Sequence, residues 1–183
     1  MAISMRNVTS GRLRYRPGAT SLRAASEAHD RRLSLPNCPL AKGSRIDPGE
    51  VLGPNNYVFS KFRQDDIEFR FGLQAGGNLV LLKVNKYSTL LGKPWTSGTD
   101  GTSGTWCHMQ REGGLVLYDK DGYPLWSSGT FASESYLVLQ TDGNAVITVP
   151  PGRVYRTKDG LMTHSTKATT IWSTNTAQPE RID

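Results

Sequence analysis

The sequence predicts an all-β protein built from three copies of one small unit. Two recurring phrases carry this prediction. One surrounds a tryptophan, at residues 94–99, 125–130 and 171–176, and the other opens on a glutamine, at residues 74–80, 110–116 and 140–146. The phrases occur three times in the same order, which indicates an internal repeat. No stretch from about residue 46 onward shows sustained helical periodicity, so the units are expected to consist of strands.

Each copy predicts a β-hairpin. In the first copy the apolar runs 70–73 and 78–82 flank a glycine-rich turn, and in the second copy the runs 115–118 and 123–126 flank the turn 119–122. In the third copy, Ser135–Gln140 and Asn144–Val149 flank Thr-Asp-Gly-Asn, which is a strong hairpin signal. A longer separation between the third glutamine and the third tryptophan indicates an insertion over about residues 149–168. Loops accept such additions at small entropic cost.

The tryptophan in each tag predicts how the copies pack. A unit of three or four short strands cannot bury its own apolar face, so the units must pack against one another. Trp95, Trp126 and Trp172 are therefore expected to be buried near one shared axis. Trp106 lies outside the tags, and it could be a core residue or a ligand-facing one.

The charge distribution divides the chain. Residues 1–45 hold nine Arg or Lys and two acidic residues, whereas the remaining residues hold 13 basic and 14 acidic ones. This predicts a basic N-terminal arm over 1–45, a β-domain over 46–176 and a tail over 177–183. Within the arm, a short helix is expected over about Ser21–Leu33, with Pro36 ending it. No apolar stretch follows the first charges, so no secretory signal is predicted, and no run is long enough to span a membrane.

Enzymatic and metal-dependent functions find no support in the sequence. His29, His108 and His164 lack the spacing of metal ligands, and no cofactor motif is present. Cys107 and His108 are neighbours, which in a strand places them on opposite faces and excludes a nucleophile–base pair. Cys38 and Cys107 could form one disulfide or both be free. We therefore expect neither catalysis nor a bound cofactor.

The glutamine phrase and the tryptophan tag together resemble a known signature. The pattern Gln-x-Asp-x-Asn-x-Val-x-Tyr, followed by Trp-x-x-Asn-Thr, is typical of the bulb-type mannose-binding lectins of monocots. The resemblance covers about residues 46–176. It implies a β-prism, in which three small antiparallel sheets surround a pseudo-threefold axis with the tryptophans inside. It also implies that the protein forms oligomers, since members often dimerise.

The resemblance further implies a sugar site in each copy. In that family the Asp and Asn bind the axial 2-hydroxyl of mannose, Gln binds the 3-hydroxyl, Tyr binds the 4-hydroxyl, and Val packs on the sugar. Positions i to i+8 in steps of two are expected to line one strand face, without metal. The third copy keeps four of these residues and has Thr in place of Tyr. Its predicted sugar-binding residues are Gln140, Asp142, Asn144, Val146 and Thr148.

The other two copies depart further from the pattern. The first copy keeps Gln74, Asn78 and Val80, which are predicted as a weaker sugar site, and has Gly76 and Leu82 in place of Asp and Tyr. The second copy keeps three of the residues and has Glu and Gly in place of Asp and Asn. Its residues, in order, are Gln110, Glu112, Gly114, Val116 and Tyr118. A glutamate is one methylene longer than aspartate and would intrude on the sugar, so little binding is expected there.

Three functions are compatible with these observations. The first is a carbohydrate-binding module for mannose-type glycans, anchored to other protein subunits through residues 1–45. The second is a structural or assembly protein, such as a virion component, that uses a lectin-like scaffold without binding sugar. The third, nucleic-acid binding through the arm, is the weakest, because the arm has no aromatic residue except Tyr15 and the body has no net basic charge.

Overall fold

The computed structural model describes residues 43–62 and 66–177. The predicted arm helix, Cys38 and most of the predicted tail lie outside these residues. The described part contains fourteen β-strands and no helix long and apolar enough to cross a membrane. The strands are β1 Arg45–Ile46, β2 Val51–Leu52, β3 Asn56–Phe62, β4 Ile67–Leu73, β5 Leu79–Val84, β6 Trp95–Thr96, β7 Gly104–Met109, β8 Leu115–Asp119, β9 Pro124–Ser127, β10 Tyr136–Leu139, β11 Ala145–Val149, β12 Val154–Arg156, β13 Met162–His164 and β14 Thr169–Ser173.

The predicted all-β fold of three small antiparallel sheets is confirmed. The first sheet has the order β3-β4-β5-β6, the second β2-β7-β8-β9 and the third β1-β10-β11-β14. All three predicted hairpins are present, as the pairs β4–β5, β8–β9 and β10–β11. Each sheet has four strands and one repeat supplies three of them. This arrangement is a β-prism.

The fourth strand of each sheet comes from the segment that precedes the repeats. β1 joins the third sheet, β2 joins the second and β3 joins the first. The segment from Arg45 to Phe62 thus crosses all three sheets in reverse order. Because it hydrogen-bonds to every repeat, it ties the three units into one body.

One face of each sheet is apolar and turns inward. In the third sheet, Leu137, Leu139, Ala145 and Ile147 are at most 2% exposed. Equivalent residues of the other sheets join them in a single core. Burial of side chains of this size stabilises the fold by roughly 1.5–3 kcal/mol each. The alternation of strands leaves the opposite face of each sheet outside, where the candidate sites lie.

The three tag tryptophans meet around a common axis, as predicted. The ring centroids of Trp95, Trp126 and Trp172 lie 5.7–6.0 Å apart, with interplanar angles of 75–84°. This edge-to-face geometry is favoured by the quadrupoles of aromatic rings. The indoles pack against the core and are half-buried, so the prediction that they are buried holds only in part. Trp95 also lines a groove beside Phe69, Leu81 and Leu91, which leaves part of its ring uncovered.

The insertion in the third repeat is ordered into a hairpin of its own, β12–β13. A bridge between Ala132 and Tyr155 joins this hairpin to the segment before β10. An ion pair between Arg153 and Glu134 adds a second contact. The hairpin therefore extends the third repeat without interrupting β11 or β14.

Cys107 and His108 lie on opposite faces of β7, as predicted. Cys107 is buried in the core and forms no disulfide with any residue described, and burial raises the pKa of its thiol far above the usual range. His108 lies on the outer face beside Val116.

Candidate sugar-binding site

Each tryptophan tag closes on the turn of its own repeat. The last threonine of every tag donates a hydrogen bond from its Oγ1 to the carbonyl of a turn glycine. The three pairs are Thr99–Gly77 at 2.9 Å, Thr130–Gly113 at 2.6 Å and Thr176–Gly143 at 2.7 Å. The hydroxyl two residues earlier accepts from the first strand amide after the turn, in the pairs Ser97–Leu79, Ser128–Leu115 and Thr174–Ala145. These contacts explain in physical terms why the two phrases recur together.

The asparagine of the glutamine phrase belongs to the same network. Oδ1 of Asn144 accepts hydrogen bonds from the hydroxyls of Ser173 and Thr174, at 3.1 and 2.9 Å, and from the amide of Thr176, at 3.3 Å. Oδ1 of Asn78 accepts in the same way from the hydroxyl of Ser97 and the amide of Thr99. The asparagine oxygen thus has a folding role, since it holds the tag on the turn.

The polar residues of the third repeat do not lie along one strand, so that prediction was wrong. Gln140 follows β10, Asp142 is in the turn, and Asn144 immediately precedes β11. The amide of Gln140 donates to the carbonyl of Asn144, and Oδ1 of Asp142 accepts from the amide of Asn144, both at 2.9 Å. The hairpin end therefore brings Gln140, Asp142 and Asn144 together, whereas a single strand would space them out along its length.

Val146 and Thr148 continue from this hairpin end on the outer face of β11. They are 3% and 8% exposed, so little of either side chain is free for a ligand. Val146 lies opposite Val138, and Thr148 lies opposite Tyr136. The guanidinium of Arg45 stacks 3.5 Å from the centre of the Tyr136 ring, which fixes the orientation of that ring. A phenol thus stands next to the position that lacks the expected tyrosine.

The first repeat brings Gln74 and Asn78 together at the end of the β4–β5 hairpin in the same way. Val80 is 2% exposed and lies opposite Gly72, over which the ring of Tyr57 packs. A Cβ at Gly72 would stand 2.4 Å from that ring, so only glycine permits this packing. Burial raises the pKa of Tyr57.

The second repeat has a different arrangement. Nε2 of Gln110 donates to the phenol oxygen of Tyr118 at 2.7 Å, and a Cβ at Gly114 would stand 3.0 Å from Oε1 of Gln110. The glutamine thus lies over the position of the missing asparagine and is held by the tyrosine. Trp106 stacks on Tyr118, with centroids 5.7 Å apart, so it belongs to the outer face and not to the core. The second repeat has no group in place of the aspartate except the exposed Glu112.

No family model matches the sequence, and no curated protein is similar to it. Solved structures are similar. The Japanese Marasmius oreades lectin shares 25% identity with the chain at a TM-score of 0.51, and the match covers 75% of this chain and 96% of that one. A monomeric monocot mannose-binding lectin from Gastrodia elata shares 26% identity at a TM-score of 0.49, covering 73% and 98%.

The mannose-specific agglutinin from snowdrop, Galanthus nivalis, complexed with methyl-α-D-mannoside, shares 30% identity at a TM-score of 0.46. That match covers 57% of this chain and 87% of the agglutinin.

The observed sheets, the tryptophan triad and the similarity to the Marasmius oreades lectin together define a lectin-like β-prism. Within the residues described, no group of three or more His, Cys, Asp or Glu could hold a metal ion.

Proposed function

We propose that the protein is a carbohydrate-binding module that binds mannose-type sugars at the hairpin end of the third repeat. The observation that supports this most strongly is the convergence of Gln140, Asp142 and Asn144 beside Val146. Gln140 is exposed, and Asp142 and Asn144 are half-buried, so their polar groups reach solvent from a fixed backbone.

The hydrogen bonds of folding leave part of each side chain available. Folding uses Oδ1 of Asp142 and Oδ1 of Asn144, whereas Oδ2 and Nδ2 make no hydrogen bond within the described chain. A sugar hydroxyl is both donor and acceptor. It can donate to the carboxylate of Asp142 and accept from the amide of Asn144, and Gln140 can serve the next hydroxyl. Because the turn holds these groups in place, binding costs little conformational entropy.

The absence of a tyrosine at position 148 sets the expected affinity. One net hydrogen bond contributes about 0.5–1.5 kcal/mol, so a single site without the phenol binds weakly. Thr148→Tyr should strengthen binding by roughly two- to tenfold. The substitution should fold, because the second sheet already holds an aromatic pair, Trp106 and Tyr118, at the corresponding cross-strand position. Display of several copies on an oligomer would raise the effective affinity further.

The direct test is titration of methyl-α-mannoside into the full chain by calorimetry, with Asp142→Asn as the variant. Asparagine keeps an oxygen for the amide of Asn144, so the turn should remain, but it replaces the free acceptor with a donor. Binding should fall about tenfold or more, whereas Asp159→Asn, on the inserted hairpin, should bind as the wild type does. An affinity that Asp142→Asn leaves unchanged would contradict the proposal, and so would a failure of the Thr148→Tyr variant to bind.

A scaffold without sugar binding is the second candidate, and one observation favours it. Asn78 and Asn144 serve the tag–turn network, so the phrase can persist for folding alone. In this case residues 1–45 would anchor the prism to other subunits. Removing residues 1–42, which keeps β1 and the contact of Arg45 with Tyr136, should leave a folded prism that no longer assembles, as judged by circular dichroism and light scattering. An unfolded truncation product, or one that assembles as the full chain does, would contradict the anchor role.

A further inference from the structure

The first repeat has Gly76 where the phrase has an aspartate, but a carboxylate lies beside that position. A Cβ at Gly76 would stand 3.2 Å from Oδ1 of Asp100, which belongs to the loop after the first tryptophan tag. The side chain of an aspartate at position 76 would extend into this same region. We infer that Asp100 supplies the carboxylate of the first repeat, and that Gln74, Asn78, Val80 and Asp100 form a second sugar-binding site. This inference rests on the proposed function.

The loop that carries Asp100 is fastened to the turn from both sides of the aspartate. On one side, Thr99 donates from Oγ1 to the carbonyl of Gly77 at 2.9 Å and from its amide to Oδ1 of Asn78 at 3.3 Å. On the other side, the amide of Gly101 donates to the carbonyl of Gly76 at 3.1 Å. Asp100 is thus held between two residues that are bonded to the turn, so its backbone is as fixed as that of a residue within the phrase.

The carboxylate itself remains available. Asp100 is exposed, and its side chain forms no hydrogen bond or ion pair within the described residues. The backbone at Gly76 has no positive φ, so the glycine is not required by the turn itself. A side chain at position 76 would instead meet Asp100. Asp100 therefore occupies the space that a side chain at position 76 would need.

With Asp100 included, the first repeat has the same kinds of polar group as the third, with Asn78 more buried than Asn144. Each then has a glutamine, a carboxylate and an asparagine amide beside a valine, and each lacks the tyrosine at the end of the phrase, as Leu82 or Thr148. In the second repeat, Gly114 stands in place of the asparagine and the side chain of Gln110 is held by Tyr118. The prism is therefore bivalent, with sites on two of its three sheets. A bivalent module can cross-link glycans and bind a multivalent surface more tightly than either site alone.

The test is titration of methyl-α-mannoside into ¹⁵N-labelled full-length protein, with Asp100→Asn, Asp142→Asn and the control Asp159→Asn. In the wild type, the sugar should change the amide chemical shifts of two sets of residues. The first set is 74–80 with 97–102, and the second set is 140–148. Asp100→Asn should weaken binding about tenfold or more at the first set alone, and Asp142→Asn at the second set alone. Gly76→Asp combined with Asp100→Ala should restore the first set, since it returns the carboxylate to the phrase and removes the side chain that it would meet.

The outcomes separate this inference from the proposed function. Shifts confined to 140–148 in the wild type, or first-repeat binding that Asp100→Asn leaves unchanged, would overturn the role of Asp100 and leave the third site standing. No shift in either set would overturn both. Thermal unfolding of each variant checks the fold, and Asp100→Asn should unfold as the wild type does because its side chain makes no internal bond.

Discussion

The hydrogen bonds around Asn144 allow its folding role to be separated from sugar binding. In Asn144→Ala, three donors lose their acceptor, but the hydroxyls of Ser173 and Thr174 keep other partners, Asn175 and Thr176 respectively. The amide of Thr176 loses its hydrogen bond to Oδ1 of Asn144. Each net hydrogen bond contributes about 0.5–1.5 kcal/mol. We therefore expect the free energy of unfolding to fall by about 1–2 kcal/mol, which corresponds to a decrease in Tm of roughly 2–8 °C.

Urea unfolding followed by tryptophan fluorescence measures this change, because the three tag indoles lie beside the network. The matched control is Gln140→Ala. The Gln140 side chain is exposed and makes no internal hydrogen bond among the described residues, so its removal should change stability by less than about 0.5 kcal/mol. Gln140→Ala should nevertheless weaken sugar binding. Equal stability of Asn144→Ala and the wild type would refute the reasoning that this asparagine holds the tag on the turn.

Three further predictions concern the core, one turn and one histidine. Trp126→Ala should destabilise the fold by about 3 kcal/mol, since it removes two edge-to-face contacts from a half-buried ring, and an unchanged urea midpoint would contradict the shared axis. Gly143→Ala should lower the Tm more than Gly129→Ala does. Both glycines have positive φ, so alanine costs about 1–2 kcal/mol at either position. Only at position 143 would the added Cβ also meet the ring of Phe69, at 2.3 Å. Burial lowers the pKa of His108 below its usual 6.5, so the folded state binds fewer protons than the unfolded state and stability should fall as the pH drops below about 6.5. Between pH 7.5 and 5.5, the free energy of unfolding should therefore fall less in His108→Gln than in the wild type. An equal fall in both proteins would contradict this role of His108.

The repeat phrases predicted the fold well because their signals are local. A Thr-Asp-Gly-Asn turn between two β-branched runs specifies a hairpin within about ten residues, and three hairpins with a shared tryptophan leave few ways to pack. The strands between Arg45 and Phe62 were not predicted. Two of them are only two residues long, and each pairs with a strand far along the chain. Such short segments acquire their conformation from tertiary pairing, which periodicity does not reveal.

The candidate site was predicted in its residues but not in its geometry. Spacing in steps of two suggested one strand face, whereas the glycine at position 143 has a φ of 81° and turns the chain back between Gln140 and Asn144. The position of Asp100 has no signal in the phrase, because it lies 24 residues beyond Gly76 in the sequence. Only the docking of the tag on the turn brings the two together. The role of the tag hydroxyls was likewise hidden, since serine and threonine on a strand ordinarily suggest solvent exposure.

We propose that the end of the third hairpin binds a mannose-type sugar through Asp142. The most direct measurement compares the dissociation constant of methyl-α-mannoside for Thr148→Tyr with that for Thr148→Tyr combined with Asp142→Asn. The added phenol brings the affinity into a measurable range, and the second substitution leaves the turn in place. We expect binding by the single variant and a loss of about tenfold or more in the combined one. Equal affinities, or binding by neither variant, would contradict sugar binding through Asp142.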